Sequence, residues 1–170
     1  KLIPHIIYSP YKQYDIYGKI YIEPKEVLVC GEKEKIENIE YIETDSVVLK
    51  NLTRSKYGEL KLNFPHGVFE SSTYKIKYYI PIEKYTEATL KIPIHLYNNE
   101  IKLFPSNVNV IFKVALKDYK KIKEDMFHIE TTPLENNTTE KYLKLNLKKK
   151  AWFIKEVRLD PSEVEYLYIK

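Results

Sequence analysis

Four histidines, one cysteine and two adjacent serines are the side chains here that could do chemistry at neutral pH: His5, His66, His95, His128, Cys30 and Ser71-Ser72. Histidine metal sites announce themselves by spacings such as His-x-His or His-x-x-x-His, which set two ring nitrogens on one face of an element. None of the four histidines has such a neighbour in sequence. A Ser-His-acid arrangement can always be assembled from distant residues, yet no motif singles out Ser71 or Ser72, which read as the end of a turn before Tyr74. Cys30 stands alone, so the chain has no intramolecular disulfide and no multi-cysteine metal site. Glu32, Glu34 and Glu37 are interspersed with lysines and read as solvated surface, not as paired carboxylates or a cation site. No catalytic residue, metal ligand or cofactor site is expected, and the chain reads as non-enzymatic.

Binding chemistry is the next possibility. The net charge of +4 comes from 28 basic against 24 acidic residues, and only Arg54 and Arg158 are arginine. Arginine supplies the planar fork that reads phosphates and bases, whereas lysine is a solvated point charge, so nucleic acid is not an expected partner. The densest basic run, Lys148-Lys149-Lys150, follows the alternating Leu143-x-Leu145-x-Leu147 and reads as the turn that ends a strand with one charged face. These three lysines are the candidate partner-contact residues, for an acidic protein or an anionic membrane surface. Tyr8, Tyr11, Tyr14 and Tyr17 recur every three residues, a period that cannot place all four rings on one sheet face. That segment is expected to be an irregular loop with some rings packed on the body, and Trp152, the sole tryptophan, is expected to anchor a core.

The elements that position these residues read as strands almost throughout. Apolar residues alternate with polar ones at 19–22, 27–29, 60–62, 74–80, 90–94, 108–112, 143–145 and 164–168. Sixteen Tyr and six Phe suit pleated surfaces, and four Gly argue against a loop-dominated chain. Short helical turns are expected at 32–39 and 116–126, where apolar residues fall three apart. The segment 134–139, rich in Asn and Thr, reads as a mobile loop.

One device recurs: Pro24-x-x-Val27-x-Val29, Pro105-x-x-Val108-x-Val110 and Pro161-x-x-Val164-x-Tyr166. A proline withholds an N–H just before a strand, and apolar residues two apart then share a face. Ile3-Pro4-His5-Ile6 precedes the first copy as Ile92-Pro93-Ile94-His95 precedes the second, with eight fewer intervening residues in the second. Leu60-Lys61-Leu62-Asn63-Phe64 is echoed by Leu143-Lys144-Leu145-Asn146-Leu147. A fixed order of features with loop-sized length changes is the mark of duplication, and the division is expected near Tyr85–Thr89, giving units 1–88 and 89–170.

Tyr17-Gly18, Ile20-Tyr21-Ile22, Pro24-x-x-Val27-x-Val29-x-Gly31, Ile36, Ile39, Thr44 and Leu49-Lys50-Asn51-Leu52 together resemble the YbbR-like domain family of bacteria. Phe104-Pro105-x-x-Val108 and Val164 mark a similar second copy, which lacks the glycine that the first copy has at Gly31. The resemblance implies a mainly β fold of two tandem small YbbR-like domains, each similar to the C-terminal domain of a ribosomal L25-type protein. It also implies the extracytoplasmic portion of a membrane-anchored protein whose N-terminal helix lies outside this chain. Relatives of that kind include regulators of a membrane diadenylate cyclase, the enzyme that makes cyclic di-AMP, and the family has no catalytic residues to carry over. The alternative is a structural, carbohydrate-binding or RNA-binding β module of the cell envelope. No window of about 18 apolar residues occurs, so no membrane helix is expected within the chain itself, and no signal peptide is recognisable.

Overall fold

The computed structural model describes residues 1–97, 99–134 and 141–169. It is mainly β and divides into two compact units, Lys1–Lys84 and Tyr85–Lys170. The expected loop at 134–139 lies, apart from Leu134, outside the described residues.

The first unit comprises β1 (Leu2–Pro10), β2 (Tyr14–Ile16), β3 (Tyr21–Glu23), β4 (Val29–Gly31), one helical turn α1 (Lys33–Ile36), β5 (Ile42–Leu52), β6 (Lys56–Asn63), β7 (Val68–Ser71) and β8 (Lys75–Ile80). Strand β9 (Ile82–Pro93) contains the division. The second unit continues with β10 (Ile101–Phe104), β11 (Asn107–Ala115), 3₁₀ turns at Leu116–Lys121 and Glu124–Met126, β12 (His128–Thr131), β13 (Tyr142–Lys149), β14 (Ile154–Asp160) and β15 (Glu163–Tyr168). Both short helical segments fall where the three-residue apolar spacing placed them. Residues 85–89, where the sequence suggests a division, belong to β9.

Strand order is the same in the two units. In the first, β1 runs parallel to β5, followed by antiparallel β6, β8 and β3. In the second, His95 bridges Glu130 of β12 in parallel, followed by antiparallel β13, β15 and β10. The pair β4–β7 of the first unit is matched by β11–β14 of the second, and both pairs carry a register shift at the same place, between Cys30 and Gly31 and between Ile111 and Lys113. The Leu2 N–H donates to the Lys25 carbonyl at 3.1 Å as the Ile94 N–H donates to the Ser106 carbonyl at 3.0 Å. Leu2 is therefore the counterpart of Ile94, and Ile3 of His95. Matching Pro4 to Pro93 from sequence is off by three positions, because each proline sits at a different point along its strand. The extra residues of the first copy are not simple loop either, since they include β2, which pairs with Ile82–Lys84 of β9. The peptide bonds before Pro24, Pro105 and Pro161 are all cis.

Alternation explains the two cores. Ile76, Tyr78 and Ile80 of β8 point one way and join Leu60, Leu62, Ile42 and Leu52. Val108, Val110, Phe112 and Val114 of β11 join Ile129, Leu143, Leu145, Ile154 and Val164. Each such side chain contributes on the order of 1.5–3 kcal/mol by leaving water. The two buried polar side chains among the described residues are satisfied: Thr44 Oγ1 accepts from the His5 N–H and donates to the Asp45 carbonyl, and Asp118 accepts from Lys121 at 2.6 Å. At Gly31 a Cβ would overlap the carbonyl oxygen of Gly67, which is why the bulged end of β4 needs a glycine.

Some strands escape the sequence reading. β1 is nine residues long and takes in Tyr8, and β2 begins at Tyr14, so the tyrosine segment expected to be a loop is half strand. Tyr14 packs on the first core and Tyr11 is exposed, which agrees with rings pointing in different directions. β5 was hidden by its run Thr44-Asp45-Ser46, where the alternation of burial slips by one residue.

Candidate functional site

The candidate lysines end β13, and the structure sends them to two different places. β12 and β13 pair antiparallel with a register shift at His128, which opposes Lys149, while Ile129 opposes Leu147. Lys148 is the residue left over, and its side chain turns to the carboxylate of Glu130 at 3.1 Å. Lys149 Nζ instead donates to the Asp125 carbonyl at 3.2 Å, and with Lys150 it lines an open depression of about 570 Å³ shared with Lys121, Lys123 and Met126. The basic turn is thus fed by lysines from two separate chain segments, a feature invisible in the run itself.

Glu130 is the centre of a cluster that sequence spacing could not show. Its side chain is 16% exposed and accepts a hydrogen bond from the Tyr97 hydroxyl at 2.8 Å, with His128 Nε2 at 3.6 Å. The His95 ring lies edge-on to Tyr97 at 4.5 Å between centroids and 5.2 Å from the His128 ring. The Tyr97 hydrogen bond, reinforced by Lys148, holds the Glu130 carboxyl below the ordinary carboxylate range, while partial burial opposes this. The same bond pushes the Tyr97 phenol up, with desolvation and the Glu130 charge adding to it. Glu130 thus gathers Tyr97, Lys148 and His128 around one carboxylate. No group of three or more His, Cys, Asp or Glu among the described residues is arranged to hold a metal ion. His95 and His128 are 33 positions apart; only the parallel bridge between His95 and Glu130 brings them together.

The remaining reactive side chains are scattered. His5 lies 3.6 Å from Glu43, His66 Nδ1 is 3.2 Å from Lys35 Nζ, and Cys30 is exposed on β4. Ser71 donates to the Thr73 carbonyl at 2.6 Å and Ser72 accepts from the Leu28 N–H at 3.2 Å, so both hydroxyls serve the turn that leads to Tyr74. Trp152 overturns its expected role as a core anchor. It is 69% exposed in the turn between β13 and β14, two residues beyond Lys150, with the Phe153 ring edge-on at 5.6 Å. Strand alternation stops at the turn, so the two-residue period that buries Leu143 and Leu145 does not carry Trp152 inward.

A second recess lies in the first unit. Tyr57 of β6, Tyr79 of β8 and Tyr21 of β3 are directly opposed in register and form a ladder, with centroids 4.5 Å and 6.2 Å apart and rings within 26° of parallel. The ladder borders an open groove of about 1120 Å³, with Lys1, Leu2, Lys25, Glu26 and Lys77 on its walls. Burial against its neighbours, and then Tyr79, push the Tyr57 phenol up.

No family model, curated protein or solved structure matches this chain. No helix among the described residues is long and apolar enough to cross a membrane.

Proposed function

We propose that this chain is a non-catalytic binding module, the extracytoplasmic portion of a membrane-anchored YbbR-like protein that acts by protein–protein contacts, with a membrane diadenylate cyclase as the partner it regulates. The observation that supports this reading most is the repetition of one strand order in two small β units, which multiplies surface and sheet edges. The basic turn at Lys148, Lys149 and Lys150, flanked by the exposed Trp152, supplies the charged and aromatic residues from which contact patches are made. In this reading the protein sits at the outer face of the cell membrane and is held there by a helix outside this chain.

The test is affinity capture from membranes with tagged full-length protein, scored by mass spectrometry for the cyclase. Enrichment over a tag control, lost when Lys148, Lys149 and Lys150 are replaced by Glu, supports the reading. A membrane-bound protein that captures no cyclase sinks it.

The tyrosine ladder favours one other reading, a carbohydrate-binding module of the cell envelope, since sugar rings stack on exposed aromatic faces. Retention on cell-wall polysaccharide that Tyr57→Ala abolishes would carry it.

A further inference from the structure

One end of the second unit gathers the chain's unbalanced charge. Residues 116–126 and 149–155 hold seven lysines against three acidic residues, a balance of +4 that equals the net charge of the whole chain. The remaining sequence is therefore neutral on balance. The neighbouring Lys148 and Glu156 add nothing to this excess, because they are turned to Glu130 and Lys113. Of the three acidic side chains, Asp118 is buried and bound to Lys121, which leaves Glu124 and Asp125 at the surface.

The fold brings the two segments together. Val114 opposes Ile154 at the end of the β11–β14 ladder, so Leu116 leaves and Trp152 arrives two residues beyond the same pair. Lys121 and Lys123 then share the depression of about 570 Å³ with Lys149 and Lys150. Large apolar side chains accompany these lysines. In the 3₁₀ turn at Leu116–Lys121 residues three apart share a face, and Leu116 and Tyr119 are each 51% exposed. With Trp152 they make three large side chains that the core leaves uncovered, at the end of the unit where the lysines are densest.

We infer that this end of the second unit is a docking face for an anionic lipid surface, with Leu116, Tyr119 and Trp152 seated among the headgroups and the lysines against their phosphates. Tryptophan and tyrosine rings settle at that level because the apolar body is buried while the polar tip stays wet. Lysine stems lie along apolar surface while each ammonium reaches out to a phosphate. A lipid surface fits better than an acidic protein, because every basic residue of the two segments is lysine. Point charges spread over one end suit a diffuse layer of negative charge, whereas fixed carboxylates are gripped by the arginine fork. Docking of this kind goes beyond the proposed protein contact and does not depend on it, since lipid alone is its partner.

The test mixes the 170-residue protein with vesicles of phosphatidylcholine, made with or without phosphatidylglycerol. Trp152 is the sole tryptophan, so its emission reports on this face directly. With the anionic vesicles the emission should shift to the blue and lose access to an aqueous quencher, and the protein should sediment with the lipid. Phosphatidylcholine alone should do neither, and added salt should weaken the association. Lys123→Gln combined with Lys150→Gln, both at exposed positions, should weaken sedimentation roughly thirtyfold while the urea midpoint stays unchanged. No sedimentation with the anionic vesicles, a Trp152 that stays open to the quencher in the sedimented protein, or binding that the double variant leaves intact overturns the docking face. The same blue shift on adding polyglutamate in place of vesicles assigns the face to an acidic polypeptide and overturns it as well.

Discussion

Replacing Val110 and Val29 by alanine, one at a time, sets two copies of one strand position against each other. Val110 is fully buried between β9 and β14, and truncation removes two methyl groups at about 0.8 kcal/mol each. A sealed cavity of roughly 40 Å³ adds about 1 kcal/mol, for a total near 2.5 kcal/mol. Val29 has the same chemistry but is only half-covered and borders an open edge. Its truncation loses about half of the transfer energy and leaves no sealed void, so the cost is about 0.8 kcal/mol. Units of this size have urea slopes of about 1 kcal/mol per molar, which converts the two losses to midpoint shifts of about 2.5 M and 0.8 M. Unfolding should be followed unit by unit, from resolved amide signals, because two units need not melt as one. Equal losses at the two positions would refute the reasoning, since they would mean that Val29 is as well covered as Val110.

Gly31→Ala should destabilise the first unit by at least about 2 kcal/mol and leave the second unchanged, because its Cβ meets the Gly67 carbonyl that also accepts the Glu32 N–H; thermal melting resolved by unit checks this, and a loss under about 0.5 kcal/mol would contradict it. Glu130 has a carboxyl held below its ordinary value of 4.5, so its contribution to stability is present above that pH and disappears as the pH falls through the lowered value. Melting temperature against pH should fall more steeply in acid for the parent than for Glu130→Gln, and parallel curves would remove Glu130 from the account. Trp152 fluorescence should be fully open to an aqueous quencher, with Trp152→Ala changing stability by less than about 0.5 kcal/mol; shielded emission would restore the tryptophan to a core.

Most of the strands were legible because their faces alternate. Tyr74 to Ile80 and Val108 to Phe112 carry the period-two pattern on one-sided sheets, and both short helical segments showed their three-residue spacing. β1 and β5 were not, because the polar run Thr44-Asp45-Ser46 interrupts β5, while Pro4 and His5, the latter opposite Ser46, interrupt the alternation of β1. The repeat was visible through its prolines, but its alignment was not, since hydrogen-bond partners fix Leu2 against Ile94 and no local residue type records that. The basic turn could be read from Lys148, Lys149 and Lys150 alone. The cluster around Glu130 could not, because Tyr97 and His95 reach Glu130 and His128 across a parallel bridge, and contacts of that range leave no periodic trace.

Strand β9 serves two ladders, its first three residues pairing with β2 and the rest with β11. The chain therefore has no neutral place to be cut inside it. A fragment beginning at residue 89 would strip Thr86 and Ala88 from Val114 and Phe112, leaving the last turn of β11 with a bare, apolar edge. Such a fragment would be sticky where the intact chain is not, and its aggregation would report a misplaced cut and not a fragile fold.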